Sequence, residues 1–398
     1  MANKKKKIAL VNQRYGAEVN GGSEYYTRQL ALHLRQYYEV EILTTTAFSY
    51  DTWENYYTQG TEKIDGITVR RFHVDRPRNV IGMKVYNRLQ RYSPFGKQYF
   101  QNKWIDAQGP YSSGLIQYIT EHSGEYDLFV FVTYLYYHTV RGIPAAAEKA
   151  VLIPTAHDEP YIRFSIFREL FAMPKAFVYL TPEEKQFVEK LFAVSDRPNC
   201  VAGSGVELPV KIDNHAYRSK YGIEGEYLIY VGRIDSSKGC DEMFRIFQSY
   251  KECHPSSSLK LVLMGRAMME LPEHPDIIYQ GFVSEEDKFG GISGACALWL
   301  PSKYESLSIA VLEAMSLGVP VLVNGQCEVL KGHCERSGAG IAYLQEHDAA
   351  SGIELLENGG SRERMGGLAR SYVEENYQWQ AVMGKIRGVL EQVMCRQG

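Results

Sequence analysis

The sequence predicts an α/β protein of two doubly wound domains, each a mainly parallel sheet with helices on both faces. Three observations predict it. Short apolar runs alternate with amphipathic stretches from one end of the 398-residue chain to the other. The runs are nearly continuous, as in Ile8-Ala9-Leu10-Val11 and Leu261-Val262-Leu263-Met264, which marks strands covered on both faces. The alternation breaks once, over 203–225, where Gly203, Gly205 and Pro209 disturb the periodicity, and then restarts. The length suits two domains of ordinary size.

In the first half, strands are expected over 8–12, 40–45, 68–74, 128–133, 151–155, 176–180 and 199–202. Helices fall over 23–36, 111–122, 136–149 and 182–192. Pro182 suits the first position of a helix and Thr181 its cap. In the second half, strands fall over 227–232, 259–264, 277–281, 295–300 and 319–323, with helices over 241–253, 285–292 and 307–317. The stretch 362–394 reads as helical, interrupted by Tyr377-Gln378-Trp379. The expected division is an N-terminal Rossmann-like domain over 1–205, a second Rossmann-like domain over 206–376, and a C-terminal helix over 377–398 packing back on the first domain.

Bulk composition narrows the class. Apolar residues make up 45% and charged residues 23%, as in globular proteins. No run of 18 apolar residues exists to span a bilayer. After Lys4 to Lys7, the apolar run Ile8 to Val11 is too short for a signal-peptide core, so a cytoplasmic location is expected. All seven cysteines lie at or beyond position 200 and none forms a CxxC pair, which reads as reduced thiols and not a disulfide frame or zinc site. A net charge of −3 gives no argument for nucleic acid. The distribution says more. Between 70 and 103 lie nine Lys or Arg residues, including Arg76, Arg78, Lys84, Arg88 and Arg91, against the one acid Asp75. Ile81, Val85, Tyr86, Tyr92, Phe95 and Tyr99 are interleaved with them, without a clean helical period. Such a stretch suits an anionic surface, either the inner face of a membrane or a phosphate-bearing lipid acceptor.

Three strand-end loops carry the chemistry, since ligands of open α/β sheets bind outside the carboxyl ends of the strands. The first runs from Asn12 to Ser23 and contains Gly21-Gly22, which lets backbone N–H groups approach a phosphate. No G-x-G-x-x-G dinucleotide fingerprint is present. The second is Gly232-Arg233-Ile234-Asp235-Ser236-Ser237-Lys238-Gly239, where Arg233 offers a planar fork and Lys238 a point charge to a diphosphate. The third runs from Glu305 through Ser306-Leu307-Ser308-Ile309 to Glu313. Its helix start should present free N–H groups near Ser306 to Ile309, with the helix dipole behind them. Eight residues of helix span roughly 12 Å, so the two carboxylates could reach sugars at opposite ends of a nucleotide sugar.

With these motifs in order, the chain resembles the retaining glycosyltransferases of family 4, the glycosyl transferases group 1. The resemblance is specific at Gly232-Arg233…Lys238-Gly239, Glu305…Glu313, Gly318-Val319-Pro320-Val321 and Tyr377…Trp379. It is looser at Gly21-Gly22-Ser23-Glu24. It implies the GT-B fold, two facing Rossmann-like domains with an interdomain cleft. It also implies roles. Arg233 and Lys238 would hold the donor diphosphate beside Gly232. Glu313 would bind the ribose, and Glu305 the transferred sugar. Ser306, Leu307, Ser308 and Ile309 would face the phosphates, and Gly21 and Gly22 would approach them from the first domain. His157 would stand near the reacting centre. Gly265-Arg266-Ala267 departs from the family's Gly-x-Gly turn, which bears on the base-side contacts of Gly265 and Arg266.

The resemblance implies a hexosyltransferase-type enzyme with a nucleotide diphosphate sugar as co-substrate, no metal and no other cofactor. The basic segment adds a glycan or lipid-linked acceptor, as in cell-surface polysaccharide assembly. Two alternatives share the fold: a nucleotide-sugar 2-epimerase and a non-catalytic nucleotide-sugar-binding subunit.

Overall fold

The structure is a computed structural model in which residues 5–19 and 21–396 are described. The chain divides into two compact units. One comprises the residues up to Ser204 together with those from Met383 onward, and the other is Gly205–Val382.

The first unit is built on an eight-stranded sheet. Its strands are β1 (Lys7–Val11), β2 (Glu39–Thr45), β3 (Gly60–Ile64), β4 (Ile67–Phe72), β5 (Leu128–Val132), β6 (Ala150–Ile153), β7 (Ala176–Tyr179) and β8 (Asn199–Val201). Their order is β3-β4-β2-β1-β5-β6-β7-β8. Leu128-Phe129-Val130-Phe131-Val132 of β5 is wholly buried, as a central parallel strand requires. All neighbours pair in parallel except β3 with β4. That hairpin was not expected from sequence, because Gly-Thr-Glu-Lys-Ile is a polar edge strand. Its turn is Asp65-Gly66, with φ of 52° and 76°, a pair suited to a two-residue hairpin turn.

The basic stretch also differs from expectation. Instead of an aperiodic run, it forms two helices, Val80–Tyr92 and Lys97–Gln108. No residue of the first is fully buried. It leans on the unit through Met83 and Tyr86, while Ile81, Val85, Leu89 and Tyr92 follow a helical period on its exposed side. The expected helix over 136–149 is shorter, Tyr137–Ala145, with Pro144 in its last turn.

The second unit carries a six-stranded, all-parallel sheet of β9 (Tyr227–Val231), β10 (Lys260–Met264), β11 (Ile277–Gly281), β12 (Ala297–Leu300), β13 (Val321–Asn324) and β14 (Gly340–Tyr343). The order β11-β10-β9-β12-β13-β14 reverses direction between β9 and β12, and in such sheets the reversal opens a ligand crevice. The stretch 203–225 is not wholly irregular. It holds the helix Asn214–Tyr221, whose cap Asp213 accepts the Ala216 N–H at 2.9 Å. Strand β14 and the helices Glu328–Ser337 and Glu346–Glu357 complete the unit and were also not foreseen.

The tail forms two helices, Gly359–Asn376 and Trp379–Cys395. In the first unit, the Arg387 guanidinium lies 3.9 Å from the Tyr37 ring centroid, and Tyr38 donates to Glu391 at 3.4 Å.

The ends of β9 and β10 meet at two glycines. Gly232 donates to Met264 O at 3.0 Å, and Gly265 donates to Gly281 O at 2.7 Å. Gly265 has φ of 133°, and a Cβ there would overlap the Gly232 carbonyl. Gly265→Ala should therefore cost the second unit about 2–4 kcal/mol in urea unfolding. Gly384→Ala, in an open helical position, should raise stability by about 0.5–1 kcal/mol. Equal midpoints for Gly265→Ala and the parent would refute this close approach.

Candidate functional site

The loop after β9 is shaped by its own carboxylate. Asp235 caps the short turn Ser236–Lys238 by accepting the Lys238 N–H at 3.1 Å. It also pairs with the Arg233 guanidinium and accepts from the Ser237 hydroxyl. Burial alone would raise the Asp235 carboxyl, but Ser237 and Arg233 hold it below the usual carboxylate range. Arg233 is thereby oriented while its side chain stays 43% exposed. Gly239 follows with φ of 77°, and a Cβ there would overlap the Pro301 carbonyl. That contact brings the β9 loop against the loop after β12. Lys238 Nζ and Glu305 Oε1 then meet at 2.7 Å, across 67 residues of sequence and beside the sheet's reversal point.

The β12 loop ends at Ser308, which is left-handed at φ 64°. This conformation delays the helix. The sequence placed its start at 307, with open N–H groups near Ser306 to Ile309. The helix is Ile309–Ser316, and the Leu312 N–H makes its first internal bond, to Ser308 O at 3.3 Å. The groups left open by the helix ladder are therefore those of Ile309, Ala310 and Val311. Glu313 consequently sits just over one turn inside, not two. It is buried and pairs with Lys288 Nζ at 2.8 Å, while Lys288 also reaches Glu285 at 3.0 Å. Burial raises the Glu313 carboxyl, opposed by Lys288. Leu307 is buried, and its carbonyl accepts from His333 Nε2 at 2.9 Å. His333 Nδ1 takes the Tyr372 hydroxyl at 3.0 Å.

Gly265 and Arg266 lie in the β10 loop. The Arg266 carbonyl accepts the Ile234 N–H at 3.0 Å, so this loop zips onto the β9 loop while the Arg266 side chain stays exposed.

The corresponding edge of the first unit holds Gly21, Gly22 and His157. Gly21 has φ of 153° and a Cβ there would strike the Glu24 carboxylate, whereas Gly22 faces open space. Glu24 itself is buried and receives Arg14 Nε at 2.8 Å and Gln13 Nε2 at 3.0 Å. His157 follows β6, with Nε2 3.9 Å from Glu159 Oε1. Glu159 also accepts from Tyr134 at 2.6 Å. The turn is held from beneath by Glu184, whose carboxylate takes the Ala156 and Leu180 N–H groups, each at 2.6 Å. Burial pushes the Glu184 carboxyl up to about 8, against the pull of those N–H donors. Arg76 and Arg78 lie past the end of β4, while Lys84, Arg88 and Arg91 stand on the exposed side of Val80–Tyr92.

Glu184, Lys288 and His333 were not foreseen. Glu184 had a signal, since Thr181-Pro182-Glu183-Glu184 follows the capping-box spacing. Lys288 and His333 act across long sequence gaps and had none. Among the described residues there is no group of three or more His, Cys, Asp or Glu side chains that could hold a metal. No described helix is long and apolar enough to cross a membrane.

Residues 225–356, the stretch that carries the β9 and β12 loops, match the family model Glycosyl transferases group 1. The resemblance to the group 1 glycosyl transferases is borne out. Over 178 residues the chain is 28% identical to an uncharacterized glycosyltransferase of Methanocaldococcus jannaschii, covering 41% of this chain and 44% of that protein. Over 121 residues it is 27% identical to the mannosylfructose-phosphate synthase of Agrobacterium fabrum, covering 27% of each. The chain thus spans less than half the length of these curated relatives. Among solved structures, the sucrose-phosphate synthase of Thermosynechococcus elongatus superposes with a TM-score of 0.70 at 15% identity, covering 98% of this chain and 100% of that one. WaaG, a glycosyltransferase involved in lipopolysaccharide biosynthesis, gives 0.62 at 15% identity over 95% and 98%. Anabaena HepE, solved with UDP and glucose, gives 0.66 at 13% over 97% and 100%. These likenesses show the fold, which is GT-B, with two Rossmann-like domains.

Two buried histidines make stability depend on pH. Burial, with Arg336 adding to it, lowers His333 to about 4, and burial lowers His138 to about 4. Unfolded, both would take protons near pH 6.5, so between 6.5 and 4 the unfolded state binds more protons. Stability should be insensitive to these groups above pH 6.5 and fall as pH drops toward 4. The slope approaches about 1.4 kcal/mol per pH unit for each histidine. Denaturant melts across this range test it. His333→Gln should flatten the slope, and an unchanged slope would remove His333 from the account.

Proposed function

We propose that this protein is a retaining, metal-independent glycosyltransferase of hexosyl type. It moves a sugar from a nucleotide diphosphate sugar to a glycan or lipid-linked acceptor. One observation carries the reading. Lys238 meets Glu305 at 2.7 Å beside the reversal point of the second sheet, Asp235 ties Arg233 into the same loop as Lys238, and the Glu305 loop runs on into the helix Ile309–Ser316. A helix start, a guanidinium fork and an ammonium suit a diphosphate, and a carboxylate beside them suits sugar hydroxyls.

The chemistry follows from charge. When the bond from the sugar's anomeric carbon to the phosphate oxygen breaks, the electron pair leaves with the diphosphate. Arg233, Lys238 and the N–H groups of Ile309 to Val311 stabilise that charge where it develops. The acceptor oxygen bonds to the anomeric carbon on the face the phosphate leaves, and its proton passes to a phosphate oxygen. The side chains themselves neutralise the leaving group, so no divalent ion is required by this scheme. Ser306, Leu307 and Ser308 shape the loop, Glu305 binds the transferred sugar, and Glu313 takes the ribose hydroxyls. Gly232 and Gly265 allow close approach near the nucleotide, with Arg266 on the base side.

A role in cell-surface polysaccharide assembly, at the inner face of the membrane, is supported by the exposed side of Val80–Tyr92. Ile81 is 77% and Tyr92 72% exposed there, beside Lys84, Arg88 and Arg91, and Phe95 beyond the helix is 82% exposed.

Arg233→Ala and Lys238→Ala should each lower kcat by about 10²–10³, read as release of nucleoside diphosphate. Near-normal turnover in either would defeat the site assignment. Proton NMR of the first product formed from an α-linked donor should show an α-linkage. A β-linked product would reject retention and leave transfer standing. Glu313→Gln, which keeps the shape and a hydrogen-bond acceptor beside Lys288, should weaken donor binding by calorimetry, with the fold checked by circular dichroism because the buried pair is lost.

A further inference from the structure

A cavity of about 360 Å³ lies within the first unit, just past the carboxyl end of β4. Arg76, Arg78 and Lys103 line it, together with Asn79, Tyr86 and Asp106. The three cations make no ion pair among the described residues. Arg76 rests on the Tyr111 ring at 4.4 Å, and Lys103 lies 5.6 Å from that of Tyr99. Arg78 is held as a fixed fork, donating to Tyr50 O at 3.1 Å and Gln108 Oε1 at 2.8 Å over the Tyr50 ring. Its Nε donor is buried without a hydrogen bond. The one carboxylate, Asp106, is already neutralised by Arg141 at 2.9 Å. Asn79 caps the helix Val80–Tyr92, whose first turn carries no acid, so the helix dipole adds to the positive field. The cavity also sits at the sheet edge where open α/β folds bind ligands.

We propose that this cavity binds the phosphate of a phosphorylated acceptor. Three cations, with Asp106 already engaged by Arg141, leave a positive field that a dianionic phosphate ester fills. Arg78 supplies preorganised geometry, and Arg76 and Lys103 supply charge. That the phosphate belongs to the acceptor rests on the transferase reading; phosphate binding in this cavity does not. The ester has two sources, a soluble sugar phosphate or a lipid headgroup.

The test uses the full chain. Calorimetry with glucose 6-phosphate, and with glucose at matched ionic strength, forms one arm. Co-flotation with vesicles of phosphatidylcholine and phosphatidylglycerol in equal parts, and of phosphatidylcholine alone, forms the other. Arg78 also supports the fold, so the variant is Arg76→Gln with Lys103→Gln, checked by circular dichroism. It should weaken binding by about tenfold or more in whichever arm the parent binds. Arg88→Gln with Arg91→Gln, outside the cavity, should leave glucose 6-phosphate affinity unchanged. Glucose 6-phosphate binding assigns a soluble ester, and vesicle binding sensitive to the Arg76/Lys103 variant assigns a headgroup. Binding in neither arm, or binding indifferent to that variant, overturns the proposal. Donor turnover is measured in parallel. A chain that binds phosphate here yet turns over no donor keeps the site and loses the transferase reading.

Discussion

The second unit's site depends on backbone meeting backbone. Gly239 lies against the Pro301 carbonyl and Gly265 against the Gly232 carbonyl, and neither contact leaves room for a side chain. These approaches gather the loops after β9, β10 and β12 at the sheet's reversal point. Only then can Lys238 reach Glu305. The left-handed Ser308 adds a second constraint by setting where that helix begins, and so which N–H groups are open. Such a conformation is costly for a non-glycine residue and needs support from its surroundings. His333 supplies some of it, anchoring the neighbouring Leu307 carbonyl from a buried position that keeps the imidazole neutral.

Three charges at this edge arrive with counter-charges: Arg233 with Asp235, Lys238 with Glu305, and Glu313 with Lys288. The three pairs differ in burial, and burial decides what each can do. The Glu313 and Lys288 side chains are only 5% and 13% exposed. Removing either would strand a desolvated charge, which costs more than the pair itself contributes. The Lys238 and Arg233 side chains are 30% and 43% exposed. Their pairs are weak enough to exchange one anion for another. The deep pair therefore fixes the helix against its neighbour, and the shallow pairs leave their cations able to exchange partners, as the proposed donor site requires.

Much of this was legible in the sequence because it was local. The parallel strands were announced by unbroken apolar runs, and the break after Gly203 lies at the change from first to second unit. The glycines at 232 and 265 stood at strand ends and Gly239 just before a helix, where backbone approach is the usual reason for them. What escaped reading was either polar or distant. Strand β3 is a charged edge, legible only through its Asp65-Gly66 turn. The helix Val80–Tyr92 has a clear apolar period, but its apolar residues are largely exposed, so the basic residues among them drew the reading toward an aperiodic surface stretch. Lys288 and His333 meet their partners 25 and 26 residues away, contacts that no single-sequence period encodes. The delayed helix start at Ile309 turns on one dihedral angle, and the residue there is a serine, which gives no warning of a positive φ.

The two sheet edges solve the problem of anion chemistry differently. In the second unit, cations are shared with carboxylates on neighbouring loops. In the first, two carboxylates are withdrawn into the interior: Glu24 is taken by Arg14 and Gln13, and Glu184 by the N–H groups of Ala156 and Leu180. Acids used up as internal struts cannot quench cations outside. Asp106 behaves alike, engaged by Arg141. Arg76 and Lys103 are thus left facing a cavity with aromatic rings as their neighbours, and an aromatic face attracts a cation without cancelling its charge. A surface built this way keeps a standing positive field at fixed geometry, which is the condition for recognising a phosphate and not merely attracting one.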